Sequence, residues 1–490
     1  MQKIKFDFNN MFSLNIGNKH GVELSELNGV KESVTGAHKH LKRLIEDPIS
    51  RVKIGLEWVR LPFLGSDIVK EIQGTGRKIS KKYDNVISLG IGGSYLGIKA
   101  AQDALCPPYY NEFDSLRKGK SKIYFEGNNL DPVPLKALLK SLNPKKTFVI
   151  VISKSGETTE TKVAFAVVES WLKKAVGKTC GRQIFAITDP VSGTLRKKVT
   201  EAQKRDKLSL RDFPLLKGVG GRFSELNIGL LHLAIAGINI QDLLLGARAM
   251  AERCGLSLLH KNPAMIYALL NTILYRKKGK SISIMMPFSE TLKSTADWYV
   301  QLLAESLGKK FQRKIEIDQS GIETWAIDKK RVVNTGRTPI PCRGTNDLHS
   351  IHQNNTEGEN NKVVTFIRIE NFKSDIKVPQ TNDFLAGKSY SELMNLAQEA
   401  TEWALVRENR PNCTIIMPEI SPFHWGGLIF FFEMATAFEG ELLNVNTFDQ
   451  PGVEGYKNYM YYKLGKPNIS EGIAEVIKKN PLVKREKLII

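Results

Sequence analysis

The sequence predicts an α/β protein with two doubly wound parallel sheets, flanked by an N-terminal arm and a C-terminal helical tail. Two observations carry that expectation. A chain of 490 residues is too long for a single hydrophobic core. Short, wholly apolar runs also alternate with longer amphipathic stretches, the pattern of strands covered on both faces by crossover helices.

The alternation begins near residue 85. "NVISLGIGGS" reads as a strand and "YLGIKAAQDAL" as the helix after it. "KIYFEGNN" precedes "PVPLKALLKSL", "TFVIVISKSG" precedes "ETTETKVAFAVVESWLKKA", and "QIFAITDP" leads into "SGTLRKKVTEAQ". The pattern then resumes. "NPAMIYALLNTILYRK" has helical spacing, "SISIMMPF" is strand-like, and "TADWYVQLLAESLGKK" is helical again. "KVVTFIRIE", the helical "SELMNLAQEATEWALVREN", the strand "CTIIMPEI" and a long helical stretch from 421 complete the second unit. The expected division is an arm over 1–50, α/β domains over 51–245 and 246–445, and a tail over 446–490.

Composition narrows the function. At 42% hydrophobic and 25% charged, the chain reads as soluble and globular. Its most apolar stretch, "GGLIFFFEMATAF" at 426–438, is too short to cross a bilayer and contains Glu433. The N-terminus lacks the profile of a secretory signal. Five isolated cysteines form no CxxC motif, so neither a disulfide framework nor a zinc site is indicated. A cytoplasmic protein without a metal is expected. The net charge of +20 favours anionic ligands. The basic runs "RKISKK", "RKKGK" and "DKKR" are nevertheless short and lack interleaved aromatics, which argues against nucleic acid.

Six segments carry chemistry. In "FVIVISKSGETTE" (148–160) a buried-looking strand runs into Ser153, Lys154, Ser155, Gly156, Thr158 and Thr159. Hydroxyl donors at a helix start suit a phosphate monoester, although a capping turn would explain one or two of them. The spacing is not that of a nucleotide P-loop. "SLGIGGSYLG" puts Gly90, Gly92, Gly93, Ser94 and Gly97 between strand and helix, as a backbone approach to a ligand or as a tight turn. "GVGGRFSELN" sets Arg222 on a glycine-rich turn, where its fork can stabilise an oxyanion or face solvent. In "DWYVQLLAESLGKK", Gln301 and Glu305 share a helix face with aliphatic neighbours, a setting that favours a general base. "GTNDLHSIHQ" offers His349 and His352. "FDQPGVEGYKNYM" holds Gln450, Glu454 and Lys457, read locally as a solvated helix.

As an ordered set, "LGIGGSYLG", "ISKSGETTET", "GVGGRFS", "AESLGKK", "NDLHS" and "FDQPGVEGYK" resemble the glucose-6-phosphate isomerase family, across roughly 50–465. The resemblance implies sugar-isomerase (SIS-type) domains, a homodimer sharing its active site, no cofactor, and a sugar-phosphate substrate. By motif, Ser153, Lys154, Ser155 and Thr158, with Gly93 and Ser94, would hold phosphate. Glu305 would transfer the proton and Arg222 would stabilise the enediolate. His349 and Lys457 would assist ring opening, the His coming from the partner subunit in relatives, and Gln301 and Gln450 would line the sugar site. An isomerase for another sugar phosphate, or a non-catalytic sugar-phosphate binder, shares most of these features. One departure stands out. After "GGRFS" the family usually has a small or apolar residue, whereas this chain has Glu225, and the stretch before "GLL" is one residue short. A carboxylate there is expected either to pair with Arg222 or to face solvent.

Overall fold

The computed structural model describes residues 2–490. They form two compact units, one running to Thr447 and a second over Phe448–Ile490. The strands of the first unit are β1 (Lys5–Asp7), β2 (Asn85–Leu89), β3 (Lys122–Glu126), β4 (Thr147–Ile152), β5 (Ile184–Thr188) and β6 (Arg211–Pro214). They continue with β7 (Ile282–Pro287), β8 (Lys309–Ile317), β9 (Glu323–Thr335), β10 (Thr338–Pro341), β11 (Lys362–Ile369) and β12 (Asn412–Met417).

One sheet has the order β3-β2-β4-β5-β6, with every pair parallel. Its chain steps outward from β2 to β3 and then returns to the other side of β2 as β4, so the winding reverses between β2 and β4. The carboxyl ends of those two strands are where an open α/β sheet binds its ligand. β2 and β4 are buried along their whole length, because helices cover both faces. Ile87, Val149 and Val151 pack with Ala164, Phe165 and Val168 of the helix Thr159–Val176. Each such large side chain contributes about 1.5–3 kcal/mol.

The second sheet has the order β1-β12-β11-β7-β10 and reverses between β7 and β11. It is parallel except at its edge, where β1 from the N-terminal arm runs antiparallel to β12, Lys5 opposite Ile416. The arm therefore supplies a strand, although its sequence shows no usable motif. The helix Pro422–Leu443 is buried on nearly every face, which accounts for the 426–438 apolar stretch. No helix among the described residues is long and apolar enough to cross a membrane. Two of the basic runs close helices, "RKISKK" ending Ser66–Lys82 and most of "RKKGK" ending Pro263–Lys278, where cations favour the carbonyl end.

One element differs from expectation. The helix read through 297–310 stops at Leu307, and Lys309 opens the antiparallel hairpin β8–β9. An ionic cluster anchors that hairpin. Buried Glu323 of β9 accepts from His40 Nε2 at 2.9 Å, from Trp325 Nε1 at 2.6 Å and from Arg43. The other ring nitrogen of His40 meets Glu441 Oε2 at 2.7 Å, and Arg313 grips Glu441 with both guanidinium arms. With a carboxylate at each nitrogen, the ring must donate twice and is an imidazolium. Burial alone would lower the His40 pKa, but the bonds to Glu323 and Glu441 raise it to about 9. Burial would likewise raise Glu323, but its bonds to His40, Trp325 and Arg43 lower it to about 2.

The sign follows from linkage. The contribution of His40 is full below its unfolded value near 6.5 and is lost as pH rises through about 9. That of Glu323 is present above 4.5 and is lost as pH falls toward about 2. Melting temperature should therefore be highest between pH 5 and 6.5 and decline by pH 9. His40→Gln should remove about 2 kcal/mol at pH 6 and flatten the alkaline decline. Parallel melting curves for the two proteins across that range would refute this assignment.

Candidate active site

The serine turn leaves the carboxyl end of β4 at the point where the winding reverses. Ser153 Oγ accepts the Gly156 amide at 3.0 Å, and Ser155 Oγ accepts the Glu157 amide at 3.1 Å. Each hydroxyl thus uses a lone pair on the turn and retains its O–H for donation to an anion. A neighbouring loop clasps the turn from behind. Thr188 Oγ1 donates to the Ser153 carbonyl at 2.7 Å, and the Thr194 amide donates to the Ser155 carbonyl at 2.8 Å. Gly156 has φ +76°, and a Cβ there would meet the Leu195 amide nitrogen at 2.5 Å, so only glycine fits. Thr158 precedes the helix Thr159–Val176, but its hydroxyl makes no capping bond. The capping alternative therefore does not account for it. Lys154 is exposed on the same turn.

The adjacent strand β2 ends at the second turn, Leu89 pairing with Val151. Gly93 lies against the Arg222 turn, where a Cβ would stand 2.1 Å from the Gly221 carbonyl. The two glycine-rich segments thus pack backbone to backbone, with Ser94 beside the contact. Gly93→Ala should displace Arg222 and lower kcat about tenfold or more, measured with a melting curve to establish folding. Unchanged turnover would show that this contact is dispensable.

Arg222 is almost wholly buried and fully engaged. Nε donates to Ser306 Oγ at 2.7 Å, Nη1 to Glu305 Oε2 at 3.2 Å, and Nη2 to the Thr447 carbonyl at 2.5 Å. Glu305 projects from the helix Lys293–Leu307, which buries Trp298, Leu302 and Leu303. One turn earlier, Gln301 Nε2 donates to Glu305 Oε1 at 3.2 Å. Both carboxylate oxygens are thereby held. Beside the expected aromatic and aliphatic neighbours, a guanidinium stands on one side of Glu305 and an amide on the other. Because Arg222 follows β6 and Glu305 follows β7, the pair joins the two halves of the first unit.

A fixed carboxylate beside a fixed cation, at the end of a sheet with a hydroxyl-rich turn, suits proton transfer next to a carbonyl. The sequence matches the family Phosphoglucose isomerase over residues 67–466. The chain belongs to the phosphoglucose isomerase family. A glucose-6-phosphate isomerase from Carboxydothermus hydrogenoformans is 38% identical, covering 99% of each chain. Among solved structures, a hypothetical protein from Thermus thermophilus superposes with a TM-score of 0.77 at 31% identity, covering 94% of this chain and 99% of that one. A Chlamydia trachomatis glucose-6-phosphate isomerase shares the fold, with a TM-score of 0.73 at 20% identity over 94% of this chain and 90% of that one.

Other motif residues of this phosphoglucose isomerase family member lie on other elements. His349 is exposed, on the turn Asn346–His349 after β10. His352 is half-buried, with Nε2 near Thr356 Oγ1 at 3.4 Å, and burial lowers its pKa. Among the described residues no His, Cys, Asp or Glu cluster could hold a metal. Gln450 and Lys457 lie in the second unit, where Lys457 Nζ donates to Glu454 Oε1 at 2.9 Å. Sequence reasoning missed Ser306 and the Thr447 carbonyl as partners of Arg222. The first is an unremarked serine beside Glu305, and the second is a backbone atom with no sequence signature.

Proposed function

We propose that this chain interconverts D-glucose 6-phosphate and D-fructose 6-phosphate in glycolysis and gluconeogenesis, acting in the cytoplasm. The observation that carries the reading is the Arg222 Nη1–Glu305 Oε2 contact of 3.2 Å, set at the ends of the strands. Ser153, Ser155 and Thr158 hold the phosphate, with Lys154, Gly93 and Ser94 beside them, and binding energy from that remote dianion orients the reacting carbons. His349 and Lys457 assist opening of the sugar ring, and Gln301 and Gln450 line the sugar.

The open-chain aldose carries its acidic proton on C2, next to the C1 carbonyl. Glu305 removes that proton as the C1 oxygen gains negative charge, and the Arg222 guanidinium stabilises the resulting cis-enediolate. Transfer of the hydroxyl proton from O2 to O1, and return of the carbon-bound proton to C1, yields the ketose. Substrate and product are isomers, so electrons balance within the sugar. Purified protein is expected to turn over fructose 6-phosphate in a coupled assay at an EDTA-insensitive rate, with 5-phosphoarabinonate as a competitive inhibitor. A different sugar phosphate turned over much faster would redirect the assignment.

We further propose a homodimer in which His349 serves the partner's site. The exposure of His349 on a surface turn supports that role. Mixing inactive Glu305→Gln with inactive His349→Ala should then restore part of the activity through hybrid dimers, one of whose sites is intact. Mixed dimers with no recovered activity would exclude a shared site.

A further inference from the structure

Glu225, where the sequence departs from its family, meets neither expected fate. Arg222 turns its guanidinium to Ser306, Glu305 and Thr447, and Glu225 is itself only 3% exposed. Glu225 Oε1 accepts from Trp298 Nε1 at 2.7 Å. Its Oε2 is sealed from water and receives no N–H or hydroxyl donor. The ionisable group facing it is Glu433, likewise sealed in the core on the helix Pro422–Leu443. Two carboxyls facing each other in a sealed site of low dielectric do not both ionise, so this pair holds at least one proton. Burial raises both carboxyls above their ordinary range, and the charge of Glu225 adds to the rise at Glu433.

The location of the pair gives it a role. A Cβ at Gly97 would lie 1.9 Å from Glu225 Cγ, so the side chain is wedged against the helix that leaves the Gly93–Ser94 turn. Glu225 follows Arg222 by three residues, and Trp298 precedes Gln301 by one helical turn. A single carboxyl thus contacts or adjoins every element that carries the Arg222–Glu305–Gln301 group. We propose that Glu225, sharing a proton with Glu433, is a positioning residue that fixes the Lys293–Leu307 helix through Trp298 and so sets Glu305 against Arg222. The role rests on the isomerase reading, whereas the shared proton does not.

The experiment compares wild type with Glu225→Ala, Glu225→Gln and Trp298→Phe. Glu225→Ala is expected to lower kcat about 30-fold while KM for fructose 6-phosphate stays within about threefold, because the serine turn is untouched. Glu225→Gln should recover most of the loss, since its amide accepts from Trp298 and donates to Glu433. A folded Glu225→Ala protein with wild-type kcat, or a Gln variant as poor as Ala, overturns the positioning role. Should the Ala variant fail to fold, Trp298→Phe deletes the N–H contact together with part of the buried ring and is expected to lower kcat with KM held; an unchanged kcat overturns the role equally. Melting temperature tests the proton independently of catalysis. Groups raised on folding stabilise at low pH and lose that contribution as pH rises. Wild type should therefore gain on Glu225→Gln between pH 8 and 5.5, and parallel curves overturn the shared proton. If wild type itself has no isomerase activity, the functional reading fails while this comparison still decides the pair.

Discussion

Glu305→Gln is expected to lower kcat by about 1,000-fold while leaving KM for fructose 6-phosphate close to wild type. The substitution is nearly isosteric. The Gln oxygen can still accept from Arg222 Nη1, which stands 3.2 Å from Glu305 Oε2, and the Gln301 contact can be rebuilt by rotating one amide. What disappears is the basic lone pair that receives the C2 proton. With the serine turn proposed to hold the phosphate and Glu305 outside that turn, inhibition by 5-phosphoarabinonate should persist in a form of the enzyme that no longer turns over. Exchange of the C2 proton with solvent deuterium gives a second measurement, and it should fall in step with kcat. A variant that keeps more than about a tenth of wild-type kcat would remove Glu305 from the proton path, because positioned acid–base catalysis supplies at least about 100-fold.

The parts of the fold that were legible are those whose physics is local. β4 is an unbroken apolar run because helices cover both of its faces, and a run of that kind ending in "SKSGETT" marks both the strand and the turn. The spacing of Gln301 and Glu305 was likewise readable from helical periodicity alone. The hairpin β8–β9 was not. "ETWAIDKKRVVNT" buries only Glu323, so burial does not pattern it, and what fixes it is a set of ions brought from His40, Arg43 and Glu441. Pairing across such distances leaves no periodic trace. The fate of Glu225 was equally hidden. It bonds Trp298 and faces Glu433, both far along the chain, and no local rule distinguishes a solvated glutamate from one sealed in the core.

Arg222 should prove the more demanding residue to replace, since its contacts with Ser306, Glu305 and Thr447 serve structure and chemistry together. Arg222→Lys preserves charge but presents a point donor in place of a fork, and it cannot reach Ser306, Glu305 and the Thr447 carbonyl at once. We expect kcat to fall about 100-fold, the scale of losing one preorganised donor to a developing oxyanion. Melting temperature should fall by a few degrees as the buried Ser306 hydroxyl and Thr447 carbonyl lose their donor. Arg222→Ala should lose more of both, leaving Glu305 without its cation. The two roles separate on adding guanidinium ion at millimolar concentration to the Ala variant. A cation diffusing into the vacated site restores charge opposite the enediolate but does not reconnect the chain, so kcat should rise while melting temperature stays low. If guanidinium leaves kcat unchanged in a folded Arg222→Ala protein, the residue holds the site together without stabilising the intermediate, and the charge must come from another group.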